Sequence, residues 1–166
     1  MNATNVHRRT PLWEAYYSRH LQLTQLLLEH GAAPDIRCGP FGLLTHEASF
    51  NGQAEVVRLL LQHNADVNAT SVSNYAPLHW ASSRGHPDVA QILLEHGADI
   101  DALSKLGTPL FRAVDNGYFD VTRLLLERGA DMQIRGREYL TLFQVATRKG
   151  HTQFVQLLLE HGADKD

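Results

Sequence analysis

A chain of 166 residues with a formal charge of -3 and a single cysteine lacks the basic excess of a bulk nucleic-acid binder and cannot form an internal disulfide. Hydrophobic residues make up 43% and charged residues 20%, the balance of a soluble folded domain, and no apolar run approaches the roughly 20 residues a membrane span needs. The opening MNATNVHRRT has no apolar stretch resembling a secretory signal, and the lone cysteine favours a reducing compartment, so the expected location is cytoplasmic.

Thr10-Pro11 starts the first short helix with Pro in its first turn, and Leu12, Ala15 and Tyr16 follow at the i, i+3, i+4 spacing of an apolar stripe. A turn near residue 19 leads to a second helix that closes on LLLEHGAAPD. The same pair recurs, closing on LLLQHNADVN, ILLEHGADID, LLLERGADMQ and LLLEHGADKD. The closing position is Gly31, Asn64, Gly97, Gly129 and Gly162, at spacings of 33, 33, 32 and 33. Ala15, Ala48, Ala81, Ala113 and Ala146 keep the same spacings, so the missing residue lies in ADIDALSKLGTPL. Glycine suits a left-handed helix cap, and asparagine, present once at Asn64, is the next most tolerant residue there. After each cap, about ten residues rich in Asp, Asn, Ser and Gly read as a turn or β-hairpin. No unit can bury its own apolar face, so stacking must supply the stability.

The segments TPLWEA, APLHWASSRGH and GTPLFRA, with the five closing segments, resemble the ankyrin-repeat family over nearly the whole chain. The units fall at about 10–36, 43–69, 76–102, 108–134 and 141–166 of a single domain. The resemblance implies an all-α solenoid of antiparallel helix pairs with laterally projecting hairpins or turns. NATN at residues 2–5 matches NATS at 68–71, and neither end carries a polar capping unit, so a segment of a longer array is expected.

Nine of the ten histidines track the period. His30, His63, His96 and His161 precede the cap, His20, His86 and His151 open second helices, and His46 and His79 share a first-helix position. Neighbours one repeat apart lie about 10 Å apart, too far to share a metal, so helix-end and inter-repeat hydrogen bonds are expected, with no metal or cofactor. No glycine-rich phosphate loop occurs. Cys38, His46 and Glu47 suggest a nucleophile and base, but in register His46-Glu47-Ala48 overlays His79-Trp80-Ala81, and the stretch reads as a worn second repeat whose polar Thr45 in a core slot makes it a weak point. Asn68, following Asp66-Val67 in LLLQHNADVNA, resembles the ankyrin asparagines modified by asparaginyl hydroxylase, which marks it as an expected acceptor.

If Leu12, Ala15 and Tyr16 face inward, Glu14, Tyr17 and Ser18 face away. Transposition through the repeats gives Glu47, Phe50 and Asn51; Trp80, Ser83 and Arg84; Arg112, Asp115 and Asn116; and Val145, Arg148 and Lys149. In ankyrin relatives this stripe and the hairpin tips line a concave face that grips partners. Aromatic residues and Arg are enriched at binding hot spots, so Tyr17, Phe50, Tyr75, Trp80, Arg84, Arg112, Asp115 and Arg148 are the expected partner-binding set. Arg9, Arg37 and Lys105 add charge in the hairpins, as do Arg8, Arg135 and Arg137.

The expected function is non-catalytic recognition of a protein or peptide with an acidic segment, engaged mainly by repeats 3 to 5 of a monomer, within a larger scaffold or regulatory protein. Five units span about 40 to 50 Å, room for some 12 to 15 extended partner residues. Two other readings stay open: an enzyme or small-molecule binder using Glu47, Arg84, Arg112 and Asp115 in the groove, and a structural spacer without a partner.

Overall fold

The structure, a computed structural model, describes residues 2–3, 9–37, 41–71, 73–134 and 141–162. Among the described residues the chain forms ten helices in five successive pairs. These are α1 (Pro11–Tyr17) with α2 (Leu21–Glu29), α3 (Leu44–Phe50) with α4 (Ala54–Gln62), α5 (Pro77–Arg84) with α6 (Pro87–Glu95), α7 (Pro109–Asn116) with α8 (Phe119–Glu127), and α9 (Leu142–Arg148) with α10 (Thr152–Glu160). None of the ten is long and apolar enough to cross a membrane. The β character between described pairs is confined to one isolated bridge, Ser104 with Gly107.

Two devices start the first helices. Thr10, Thr108 and Thr141 each accept, at 3.2 Å, from the backbone N–H three residues on. α3 and α5 begin after Leu43 and Ala76, which offer no side-chain acceptor, and a histidine three residues in makes the reciprocal contact to the cap residue's own N–H. His46 Nδ1 accepts from the Leu43 N–H at 3.2 Å and His79 Nδ1 from the Ala76 N–H at 3.1 Å. Gln144 Oε1 does the same for Thr141 N–H in α9, so histidine here fills the role Glu or Gln has in a capping box. The far edge of each ring reaches the next connection, His46 Nε2 to Ala69 O at 2.8 Å and His79 Nε2 to Gly107 O at 3.2 Å.

The second helices end alike. Ala32, Ala65, Ala98 and Ala130 donate their N–H to Leu27, Leu60, Leu93 and Leu125, across a residue at positive φ that is Gly31, Asn64, Gly97 or Gly129. His30, His96 and His161 close the last turn, each ring Nδ1 within 2.9 Å of the carbonyl four residues back.

First helices pack on first helices and second on second, giving two layers. Leu60, Leu93, Leu125 and Leu158 of the second layer are fully buried in one core with Ala48, Ala81, Ala113 and Ala146 of the first. Each such leucine contributes about 2 kcal/mol relative to exposure. A side-chain ladder ties the connections together. Asn2, Asp35, Asn68 and Asp101 accept from the backbone N–H of Ala33, Asp66, Asp99 and Asp131 at 2.9 to 3.0 Å.

The residue opening a second helix also lies over the turn of the preceding pair: His86 over Gly52, Tyr118 over Gly85, His151 over Gly117. In the first turn Arg19 takes the left-handed position with φ 58, and Gln53 stands where a ring stands elsewhere. There a cavity of about 300 Å³ opens between Tyr16, Arg19, Thr24, Gln53 and Val56, while Asn51 Nδ2–H donates to the Tyr16 hydroxyl at 2.9 Å. The second repeat carries a different fault: Thr45 is fully buried and its hydroxyl meets no partner among the described residues, a cost of about 1 to 3 kcal/mol.

Candidate partner-binding surface

The outward stripe of the first helices follows from helical spacing only in part. Tyr17, Asn51, Arg84, Asn116, Arg148 and Lys149 are exposed. Glu47, by contrast, is buried at 6% exposure, because residue 41 of the preceding connection folds back over α3 and its N–H donates to Glu47 Oε1 at 3.1 Å. Burial pushes the Glu47 carboxyl above the usual range, and the hydrogen bond from Phe41 partly offsets it. Val145 is buried too, since α9 turns Leu142, Val145 and Ala146 inward where α1 uses Leu12, Ala15 and Tyr16. Ser83 is likewise buried.

Tyr75 was expected as an exposed contact and is 5% exposed instead. It packs inside a group of rings: Tyr75 with His79 at 5.1 Å between centroids, Tyr75 with Trp80 at 4.8 Å, Trp80 with Phe41 at 4.7 Å, and Phe41 with Phe50 at 4.4 Å. Phe50 and Trp80 meet edge-on at 5.5 Å. The hub member that sequence reasoning missed is Phe41, which carries no helical periodicity. Its one signal is an aromatic residue inside the glycine-rich connection GPFG.

Cations surround the hub. The Arg84 guanidinium sits 4.0 Å above the Phe50 ring, a geometry in which the ring's negative face meets the charge. Arg112 Nη1 bonds Asp115 Oδ2 at 3.1 Å, and Lys149 Nζ reaches Asp115 Oδ1 at 2.8 Å, so two cations share one carboxylate. Arg84 and Lys105 meet no carboxylate among the described residues. Trp80, Tyr75, Phe41, Leu106, Lys105 and Arg112 line a cavity of about 500 Å³ between the connections that flank α5. Trp80 Nε1 and Arg112 Nε are buried donors without an acceptor among the described residues.

Tyr17 stands apart from this hub. It stacks on Trp13 at 4.8 Å and is 65% exposed, with Arg9 over the Trp13 ring at 4.2 Å. Arg37 of the hairpins donates to Thr70 O at 3.2 Å. Cys38, Arg8, Arg135 and Arg137 lie outside the described residues.

A family model described as ankyrin repeats in three copies matches residues 1–71 and 45–136, and a single ankyrin-repeat model matches 139–166. The chain belongs to the ankyrin-repeat family. No curated protein matches it. Ankyrin repeats are generally protein–protein interaction modules and typically non-catalytic. In this ankyrin array the first-helix face of repeats 2 and 3 carries the aromatic hub, with cations around it.

Asn68 belongs to the ankyrin ladder. Besides accepting from Asp99 N–H, it donates Nδ2–H to Gly97 O at 3.1 Å, so the amide is held at both ends although the residue is exposed.

Proposed function

We propose that this ankyrin array is a recognition module whose first-helix face, mainly in repeats 3 to 5, binds an acidic segment of a protein partner. The observation that carries the reading is the surplus of positive charge around the hub among the described residues: Arg84, Lys105, Arg112 and Lys149 against Asp115 and the buried Glu47, whose raised pKa favours its neutral form. Charge of one sign on one face raises encounter rates with the opposite sign and excludes like-charged partners. Arg112 is unsuited to charge reversal, because a carboxylate there would face Asp115. The variant of choice carries Arg84→Glu, Lys105→Glu and Arg148→Glu. Affinity capture with the wild-type domain and this variant as control is expected to retain a partner on the former only, with retention lost as salt rises. Equal retention by both would exclude this face.

Asn68 we propose as an acceptor for asparaginyl hydroxylation, supported by its place in LLLQHNADVNA and its exposure. Its two hydrogen bonds must open for an enzyme to reach the side chain. Intact mass of protein made beside the hydroxylase is expected to rise by about 16 Da, with the gain abolished in Asn68→Ala. An unchanged mass removes the proposal.

A further inference from the structure

The cavity beside α5 combines two chemistries in one space. Its apolar wall is Phe41, Tyr75, Trp80 and Leu106, its charged wall is Lys105 with Arg112, and three serines, Ser71, Ser73 and Ser83, complete the lining. At about 500 Å³ it lies within the range of sites that enclose a ligand group. The apolar wall is built rather than incidental, because Tyr75, Trp80 and Phe41 hold one another at centroid distances of 4.7 to 4.8 Å. The cations are not quenched: among the described residues the exposed Lys105 meets no carboxylate, and Asp115, the acid bonded to Arg112, is shared with Lys149.

A bare apolar side chain would leave the Lys105 charge unanswered, and a bare carboxylate would leave the ring wall in water. A ligand carrying both, a few ångströms apart, answers the ring wall and the cations together. The cations also continue beyond the cavity, through Arg84 on one side and Arg148 and Lys149 on the other, so the ligand extends past the pocket along the first-helix face.

Resting on the reading above, we infer that this cavity is a side-chain subsite for an extended peptide in which a large aliphatic or aromatic residue lies within two positions of an Asp or Glu, the apolar side chain entering between Trp80 and Leu106 and the carboxylate meeting Lys105. Basic residues at the apolar position are excluded by the cations.

The test uses random 12-residue peptides displayed on phage, selected on the full chain and on Lys105→Glu in parallel, followed by titration of the dominant synthetic peptide. A Trp13→Phe background leaves Trp80 as the one indole, because the chain has two tryptophans. Wild-type selection is expected to return peptides that pair a large apolar residue with a nearby acid. The synthetic peptide should change Trp80 emission. Its affinity should fall about tenfold or more on Lys105→Glu, where like charges now face each other, and should be kept by Lys105→Arg. Replacing its apolar residue with Ala should cost a similar factor. Lys105 is exposed, so the thermal midpoint of both variants should match wild type and a folding defect cannot imitate the result.

Selected peptides that lack the apolar and acidic pair, or that bind Lys105→Glu as tightly as wild type, overturn the subsite while leaving the module reading in place. Recovery of no peptide at all overturns both. N-acetyl-phenylalanine binding as tightly as the selected peptide would overturn the extended-peptide assignment in favour of a small carboxylate ligand.

Discussion

Gly85→Ala is expected to destabilise the array by about 3 kcal/mol, a large fraction of what a domain of this kind has to lose. Gly85 has φ 73, where a side chain costs about 1 to 2 kcal/mol. The added methyl would also lie 2.2 Å from Tyr118 Cδ1 and 2.8 Å from its Cγ, inside the ring's own volume. The ring cannot simply swing aside with its backbone: Tyr118 N–H donates to Ala113 O at 2.9 Å, and its carbonyl accepts both the N–H and the hydroxyl of Thr122. Relieving the clash means turning the half-buried Tyr118 ring out of its place or moving the start of α8, at an overpacking cost of about 1 to 3 kcal/mol. Because repeat arrays draw stability from neighbouring interfaces, damage between the third and fourth pairs should broaden the unfolding transition as well as lower its midpoint. Urea unfolding followed by circular dichroism checks both. Arg19→Gly supplies the contrast, since Arg19 has φ 58 and the next pair places Gln53 where Tyr118 stands over Gly85. Releasing that strain should gain about 0.5 to 1 kcal/mol after the extra entropy of glycine in the unfolded chain is counted. An unchanged midpoint for Gly85→Ala would mean that the Tyr118 contact is not a packing constraint.

Acidification should weaken the fold between about pH 6.5 and pH 4 through a histidine that is nowhere near solvent. His79 is fully buried, and burial lowers its pKa from the usual 6.5 to about 4, helped by the positive field of Arg112 and opposed by the Gly107 carbonyl and by Asp99. The neutral ring is the form that fits: Nδ1 accepts from Ala76 N–H, leaving Nε2–H to donate to Gly107 O. A proton on Nδ1 would break the first bond. Above pH 6.5 neither the folded nor the unfolded chain protonates this ring, and its contribution to stability is complete. As pH falls toward 4 the unfolded chain takes up the proton first, so stability drops, by something on the order of 3 kcal/mol. His46 is shifted down for the same first reason, burial, and adds to the loss. Glu47 acts in the opposite sense, because its raised pKa lets the folded chain bind a proton more readily as pH falls. His79→Gln isolates the effect. Gln144 already holds the matching place in α9, accepting from Thr141 N–H at 3.1 Å, so glutamine can keep the cap without titrating. Unfolding midpoints at pH 7, 5.5 and 4.5 should fall less steeply for His79→Gln than for wild type. Parallel slopes would remove His79 as the cause.

Much of the fold was legible in the sequence because it is local and repeated. The helix starts at Thr10 and Thr108, the apolar stripe around Ala15, and the left-handed closing positions, including Asn64 in place of glycine, each depend on residues within one turn of one another. The roles of the histidines were legible as a class, since their phasing placed them at helix ends. The candidate surface was half legible. Tyr17, Arg84 and Arg148 lie outward as their helical positions require, while Glu47, Val145 and Tyr75 do not.

The difference has one physical source. Periodicity reports which side of a helix points away from its own partner, and it is blind to what another connection lays across that side. Phe41 arrives from outside any helix, covers Glu47 and joins Phe50 to Trp80, and Tyr75 closes the group from the next connection. The sequence by itself therefore determined that this chain stacks helix pairs at a period of 33 residues with one shortfall, because backbone capping and apolar spacing are local matters. Only the tertiary structure decided that a ring-walled, cation-rimmed cavity lies beside α5, because it is assembled from residues 41 to 112, whose proximity depends on how successive repeats lean on one another.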